Sequence, residues 1–113
     1  MMKFSSYKTF FKALSNETRF EIVKLLKEKG HKTVSEICKE LRFEQSRVSH
    51  NLQCLVACGF LNVKQNGKAR IYSIDKNIAR ILKEIDRHMK KYGKRLETCD
   101  ILKGKKTCKW VRV

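Results

Sequence analysis

In the stretch Gln45-Ser-Arg-Val-Ser-His-Asn-Leu-Gln-Cys-Leu-Val-Ala57, apolar residues recur at three- or four-residue spacing as Val48, Leu52, Leu55 and Val56. Ser46, Arg47, Ser49, His50, Asn51 and Gln53 crowd the positions between them. That period belongs to a helix with one face turned inward. The other face is rich in hydrogen-bonding groups, and Gly59 ends the helix just past the last periodic residue.

The segments on either side fit this element into a larger pattern. Upstream, Thr33-Val-Ser-Glu36 has the spacing of a capping box and opens a short helix through Leu41 that carries Val34, Ile37, Cys38 and Leu41. A turn around Arg42 to Glu44 separates the two helices. Earlier still, Ser15 and Asn16 can cap a helix beginning at Glu17, with Phe20, Ile22, Val23, Leu25 and Leu26 as apolar faces and Gly30 as terminator. Phe4, Tyr7, Phe10, Phe11 and Leu14 predict a first helix from Phe4 to Leu14.

Downstream, Leu61-Asn-Val-Lys-Gln and Lys68-Ala-Arg-Ile-Tyr-Ser-Ile74 alternate around Asn66-Gly67, the strongest short-range hairpin signal. A last helix from about Lys76 to Leu96 aligns Ile78, Ile81, Leu82, Ile85, Met89, Tyr92 and Leu96 in one stripe. A domain this small does not need so long a stripe for its own core. The stripe predicts a partner helix, the same helix of a second copy.

A short helix, a tight turn, a second helix with a polar face and a basic hairpin beside it make a winged helix-turn-helix. The fold is mainly α with one β-hairpin, and dimeric. Residues 1–98 read as the DNA-binding and dimerisation domain. Residues 99–113 read as a basic, cysteine-containing extension carrying Ile101, Leu102 and Trp110.

Charge points to the partner. The 113 residues hold 27 Lys and Arg against 11 Asp and Glu, a formal charge of +16 that a polyanion would relieve. Taken alone, the polar face of Gln45–Ala57 reads equally well as a solvated surface. The basic hairpin and the net charge beside it favour double-stranded DNA. Arg47 can pair bidentately with guanine; Gln45, Asn51 or Gln53 can pair with adenine; Ser46, Ser49 and His50 reach bases or phosphates. Lys68 and Arg70 suit the backbone or minor groove.

No apolar run approaches the ~18 residues of a membrane span, and Lys3 and Lys8 interrupt any signal-peptide core, so a cytoplasmic protein without membrane partners is expected. No Ser/His/Asp set, phosphate loop or carboxylate pair suggests an enzyme. An RNA- or protein-binding winged helix fits the charge equally well. The polar helix and the dimer stripe favour DNA, because a palindromic operator requires a two-fold partner.

The chain resembles the ArsR/SmtB family of metal-responsive repressors from about Phe10 to Ile85. The likeness rests on Phe-Lys-Ala-Leu-Ser-Asn-Glu-Thr-Arg-Phe-Glu-Ile before the second helix and Ser46-Arg-Val-Ser-His-Asn-Leu in the fourth. It continues through Ala57-Cys-Gly-Phe-Leu entering the wing and Gly67-Lys-Ala-Arg-Ile-Tyr leaving it. The resemblance implies a winged helix, dimerisation through the first and last helices, and repression relieved by an inducer. One departure is Glu44, where a capping Ser is usual.

Five cysteines, Cys38, Cys54, Cys58, Cys99 and Cys108, are an odd number in a reducing compartment, which leaves free thiols, metal ligands or redox switches. Two metal sites used in the family do not match. Thr33 and Ser35 stand where a Cys-Val-Cys-type segment would place its thiols. Lys76 and Ile78 stand where paired Asp and His would begin the last-helix site, and Asp86 and His88 read as surface residues.

Cys54 and Cys58 remain, an i, i+4 pair with both sulfurs on one helix face, to which Cys99 can add a third thiolate. Cys54-Leu-Val-Ala-Cys58-Gly with Cys99 resembles the cadmium- and lead-responsive CmtR subgroup, and that resemblance implies a third ligand from the other protomer. Soft thiolates favour Cd(II), Pb(II) or another soft ion such as Cu(I) over hard cations, with Zn(II) behind them.

Each cysteine also reads as a small buried residue, Cys58 at a position where a buried Ala would pack. Cys38 is expected in the core, and Cys108 as a free thiol or accessory ligand. The competing signal is oxidation, with a Cys54–Cys58 or Cys99–Cys108 disulfide shifting the same helix, although helical i, i+4 geometry makes the first awkward.

Overall fold

A computed structural model describes residues 2–110. Helix α1 spans Phe4–Ser15 and buries Ala13, while Phe4, Tyr7 and Phe11 stay exposed. Helix α2, Glu17–Lys29, starts where the Asn16 side chain accepts from the Arg19 backbone N–H at 3.0 Å. It stops at Gly30, whose φ of +79° suits a residue without Cβ. Strand β1 is the pair Lys32–Thr33.

Helix α3, Val34–Leu41, carries the expected capping box in full. The Glu36 N–H donates to Thr33 Oγ1 at 3.3 Å, and the Thr33 N–H donates to Glu36 Oε1 at 2.9 Å. That backbone donor is the main reason the Glu36 carboxyl is held below its usual value. Arg42 closes α3 in the left-handed conformation at φ +57°. Helix α4 runs Gln45–Ala57, and Glu44 gives it no side-chain cap.

Strands β2, Leu61–Asn66, and β3, Ala69–Ile74, form the hairpin. β3 also pairs antiparallel with β1, giving the order β1-β3-β2. Asn66 pairs with Ala69, so the two loop residues are Gly67 and Lys68, one position later than the Asn-Gly dipeptide suggests. Gly67 has φ +63° and Lys68 is not in the positive-φ region, the pattern of a type II′ turn with Gly first. Helix α5 spans Lys76–Glu97, and Asp75 Oδ2 accepts from the Asn77 and Ile78 N–H groups at 3.0 and 3.2 Å as its N-terminal cap.

The chain divides into one compact unit of Met1–Ala79 and a second beginning at Arg80. In the first, α2, α3 and α4 pack on one another and on the sheet around Ile22, Val23, Leu26, Ile37, Val48, Leu52, Leu55, Phe60 and Leu61, all nearly inaccessible. Phe10 brings α1 onto this core through its ring, 5.2 Å from that of Phe60. Truncating one of the buried leucines to Ala would cost about 2–5 kcal/mol, so the orientation of α4 is set by an apolar lock on its inner side. Phe20, expected to help fill the α2 face, is 41% exposed.

Candidate nucleic-acid interface

Locking Val48, Leu52 and Leu55 inside turns Gln45, Ser46, Arg47, His50 and Gln53 to the exterior, with Ser49 half-buried at the margin. Lys68 in the hairpin turn and Arg70 at the start of β3 are exposed on the wing. Lys68, Arg70, Thr33, Val34 and Ser35 line a common cleft, so the tip of the wing and the start of α3 face one space.

Two residues of the polar face do more than point outward. Arg47 donates through Nε to the buried Thr18 hydroxyl at 2.8 Å, and its guanidinium lies 3.9 Å from the centroid of the Phe43 ring. Asn51, expected among the adenine readers, is only 9% exposed. Its Nδ2 donates to the Arg47 carbonyl at 2.8 Å, and its Oδ1 accepts from Arg19 Nη1 at 3.3 Å. Both ends of the amide are thus committed inside the protein, and Asn51 is corrected from base reader to internal brace.

Arg19 extends the brace by donating from Nε to the Ala13 carbonyl at 2.8 Å, so one polar chain joins α1, α2 and α4. The signal was available in the sequence. Val48, Asn51, Leu52 and Leu55 follow i, i+3, i+4, i+7, which puts Asn51 on the apolar stripe.

The cysteines fall into two pairs and a single. Cys54 is half-buried and Cys58 exposed, which differs from the buried position expected for Cys58. They lie one helical turn apart, and local desolvation followed by the neighbouring Cys54 pushes the Cys58 thiol above its usual value, with Arg19 acting the other way.

Cys99 and Cys108 are both half-buried and in contact. The Cys108 thiol is held below its usual value, chiefly by the Trp110 backbone N–H and then by that of Asp100 and the Cys99 thiol, against some desolvation. Cys38 is half-buried near the end of α3. Asp86 and His88 are exposed, as expected. Among the described residues no three His, Cys, Asp or Glu side chains gather into a metal-holding group, and no helix is long and apolar enough to cross a membrane.

Known proteins share this arrangement. The family model described as "Bacterial regulatory protein, arsR family" matches residues 16–63, from the cap of α2 into β2. An HTH-type transcriptional regulator of Methanocaldococcus jannaschii is 34% identical over 87 residues, covering 76% of this chain and 98% of that protein. A probable mercury resistance operon repressor of Streptomyces lividans is 35% identical over 65 residues, or 58% of this chain, and the match spans about half of that protein (51%).

Among solved structures, the homodimeric winged helix-turn-helix DNA-binding domain of a possible ArsR-family regulator from Mycobacterium bovis superposes with a TM-score of 0.67. That match has 25% identity and covers 80% of this chain and 85% of that one.

Proposed function

The chain belongs to the arsR family of bacterial regulatory proteins and is a DNA-binding transcriptional regulator, not an enzyme, and we propose that it is a repressor that grips its operator as a symmetric dimer and lets go when thiolates take up a soft cation. The observation that carries the DNA half is the outward row Gln45, Ser46, His50 and Gln53 on a helix locked from behind, beside an exposed basic wing. A helix presented this way fits the major groove.

In this reading Gln45 and Gln53 read base edges, and Ser46, Ser49 and His50 reach bases or phosphates. Arg47, with Nε given to Thr18, keeps its Nη donors for DNA. Lys68 and Arg70 neutralise backbone charge without specifying sequence. Phe4, Tyr7 and Phe11 on α1 and Ile81, Ile85 and Met89 on α5 are exposed apolar groups. Covering them against a second copy supplies the two-fold axis that a palindromic site requires.

For sensing, Cys54 and Cys58 supply two neighbouring sulfurs at the C-terminal turn of the helix that reads DNA. No third donor joins them within the described residues of one chain, which suits a third sulfur from Cys99 of the partner subunit. Three soft donors of this kind fit Cd(II) or Pb(II), and the mercury-resistance name of a relative is in keeping with a soft-metal signal.

Cation uptake there removes two protons from α4 and fixes its C-terminal turn. Because coupling is reciprocal, whatever factor the cation takes from DNA affinity, DNA takes from cation affinity, typically about 1–3 kcal/mol. The test is anisotropy of a labelled duplex carrying the preferred sequence, titrated with protein at several salt concentrations, with and without Cd(II). Steep salt dependence and metal-induced release are expected. Binding indifferent to both would overturn the proposal.

A further inference from the structure

The second cysteine pair is built by the chain that follows α5. The Thr98 N–H still donates to the Lys94 carbonyl at 3.1 Å, after which the chain reverses. The Lys103 and Lys105 N–H groups both donate to the Asp100 carbonyl, at 3.1 and 2.9 Å, and the Gly104 N–H donates to the Ile101 carbonyl at 3.0 Å. Gly104 has φ +96°, a conformation a side chain would oppose. The hook closes where Trp110 Nε1 donates to Thr98 Oγ1 at 2.9 Å.

Closure returns Cys108 to Cys99, nine positions away in sequence, so that the two side chains interact and line the same cleft. The two sulfurs sit in the wall of an open cleft of about 320 Å³ whose other sides are His88, Tyr92, Arg95, Leu96, Ile101 and Trp110.

We infer that Cys99 and Cys108 form a two-sulfur site for a soft d10 cation, of the class of Cu(I) and Hg(II), distinct from the Cys54–Cys58 pair. The donor set selects this class. Ca(II) and Mg(II) require oxygen cages, and Zn(II) takes four donors in structural sites. Here the described residues bring no third Cys, Asp or Glu, and no His, into a metal-holding group with the sulfurs. A cation content with two soft ligands needs nothing more.

Binding replaces both S–H protons, so two protons leave per cation. The Hg(II) bis-thiolate is neutral and suits a cleft walled mainly by Tyr92, Leu96, Ile101 and Trp110. The Cu(I) bis-thiolate carries one negative charge, which Arg95 and Lys109, 5.6 and 5.4 Å from the Trp110 ring, offset. Cys99 is common to this site and to the three-thiolate site proposed above. The two therefore compete, and coordination number decides which is filled.

Trp110 is the single tryptophan of the chain and lines the same cleft, so a heavy ion bound there quenches its fluorescence. The experiment uses the full chain with Cys54→Ser and Cys58→Ser, which removes the other pair and separates the two proposals. Hg(II) chloride is titrated in one arm and chelator-buffered Cu(I) in the other, with Cd(II) as the comparison.

Quenching that saturates at one cation per chain, with two protons released, is expected for Hg(II), Cu(I) or both, and the responding arm names the cation. Cd(II) should not reproduce it. In this background Cys99→Ser and Cys108→Ser should each weaken binding beyond the roughly 10–100-fold that even an outer-sphere change costs, while Cys38→Ser leaves it intact. Unchanged apo emission of Trp110 in the serine variants checks that the hook persists. Quenching that survives either substitution, or saturation at one cation per two chains, overturns the assignment, as does the absence of binding in both arms.

Discussion

Asn51→Ala separates the brace from the base-reading role most sharply. The substitution removes the bond from Nδ2 to the Arg47 carbonyl, which still accepts from its own helix, at about 0.5–1.5 kcal/mol. It also removes the acceptor of the Arg19 guanidinium, a charge-assisted bond of about 1.5–3 kcal/mol whose 3.3 Å length places it at the low end. Together these predict a loss of roughly 2–3 kcal/mol in unfolding free energy. Urea denaturation at one fixed chain concentration measures it, since the stability of a dimer depends on that concentration. Under conditions where the variant is folded, its preference among duplex sequences should match the parent. A loss below about 0.5 kcal/mol, within the range of ordinary surface substitutions, with an altered base preference, would refute the brace and restore Asn51 to the recognition surface.

Lys68→Ala should weaken specific and random duplexes alike and lower the salt slope by about one, whereas Gln53→Ala should cost about 1–3 kcal/mol on the preferred sequence alone; anisotropy against both duplexes over a salt series distinguishes them. Cys54→Ser should abolish the ultraviolet thiolate-to-Cd(II) charge-transfer band and Cd(II)-induced release while leaving metal-free DNA affinity unchanged, and a persistent band would remove the site. Thr33→Ala should cost about 1 kcal/mol by deleting the cap of α3, read from the urea midpoint. Glu36 has its folded pKa lowered by the Thr33 N–H, so its contribution is present above the ordinary carboxylate value and is lost as pH falls through the lowered one. The parent should therefore lose more stability on acidification than Glu36→Gln, and equal losses would contradict the capping role.

Much of this fold is legible in the sequence because local signals agree with the tertiary result. The ends of α4 coincide with the periodic run and with Gly59, and the α3 capping box forms as its spacing requires. The expected start of α2 at Glu17 also holds, as do the outer ends of the wing strands at Leu61 and Ile74.

Other features depend on partners far along the chain. Strand β1 is two residues with no alternation to reveal it, and it exists because β3 offers an edge to Lys32 and Thr33. The wing turn shifts to Gly67-Lys68 because the pairing of Asn66 with Ala69 fixes the register. Asp75 caps α5 from a position where a capping residue is favoured, a signal the sequence carries locally. At the interface, exposure of Gln45, Ser46, His50 and Gln53 follows from the helical period. The engagement of Arg47 with Thr18 and Phe43 depends on how α2 and α4 pack, and no local pattern encodes it. The contact of Cys99 with Cys108 likewise arises only when the chain turns back at Gly104.

Selection of duplexes from a randomised pool by the intact protein tests the central claim most directly. The account predicts enrichment of a two-fold symmetric sequence with half-sites about one helical turn, roughly 10 bp, apart, and a changed consensus when Gln53→Ala is selected in parallel. Enrichment of an asymmetric sequence, of none, or of the same consensus by parent and variant would contradict it.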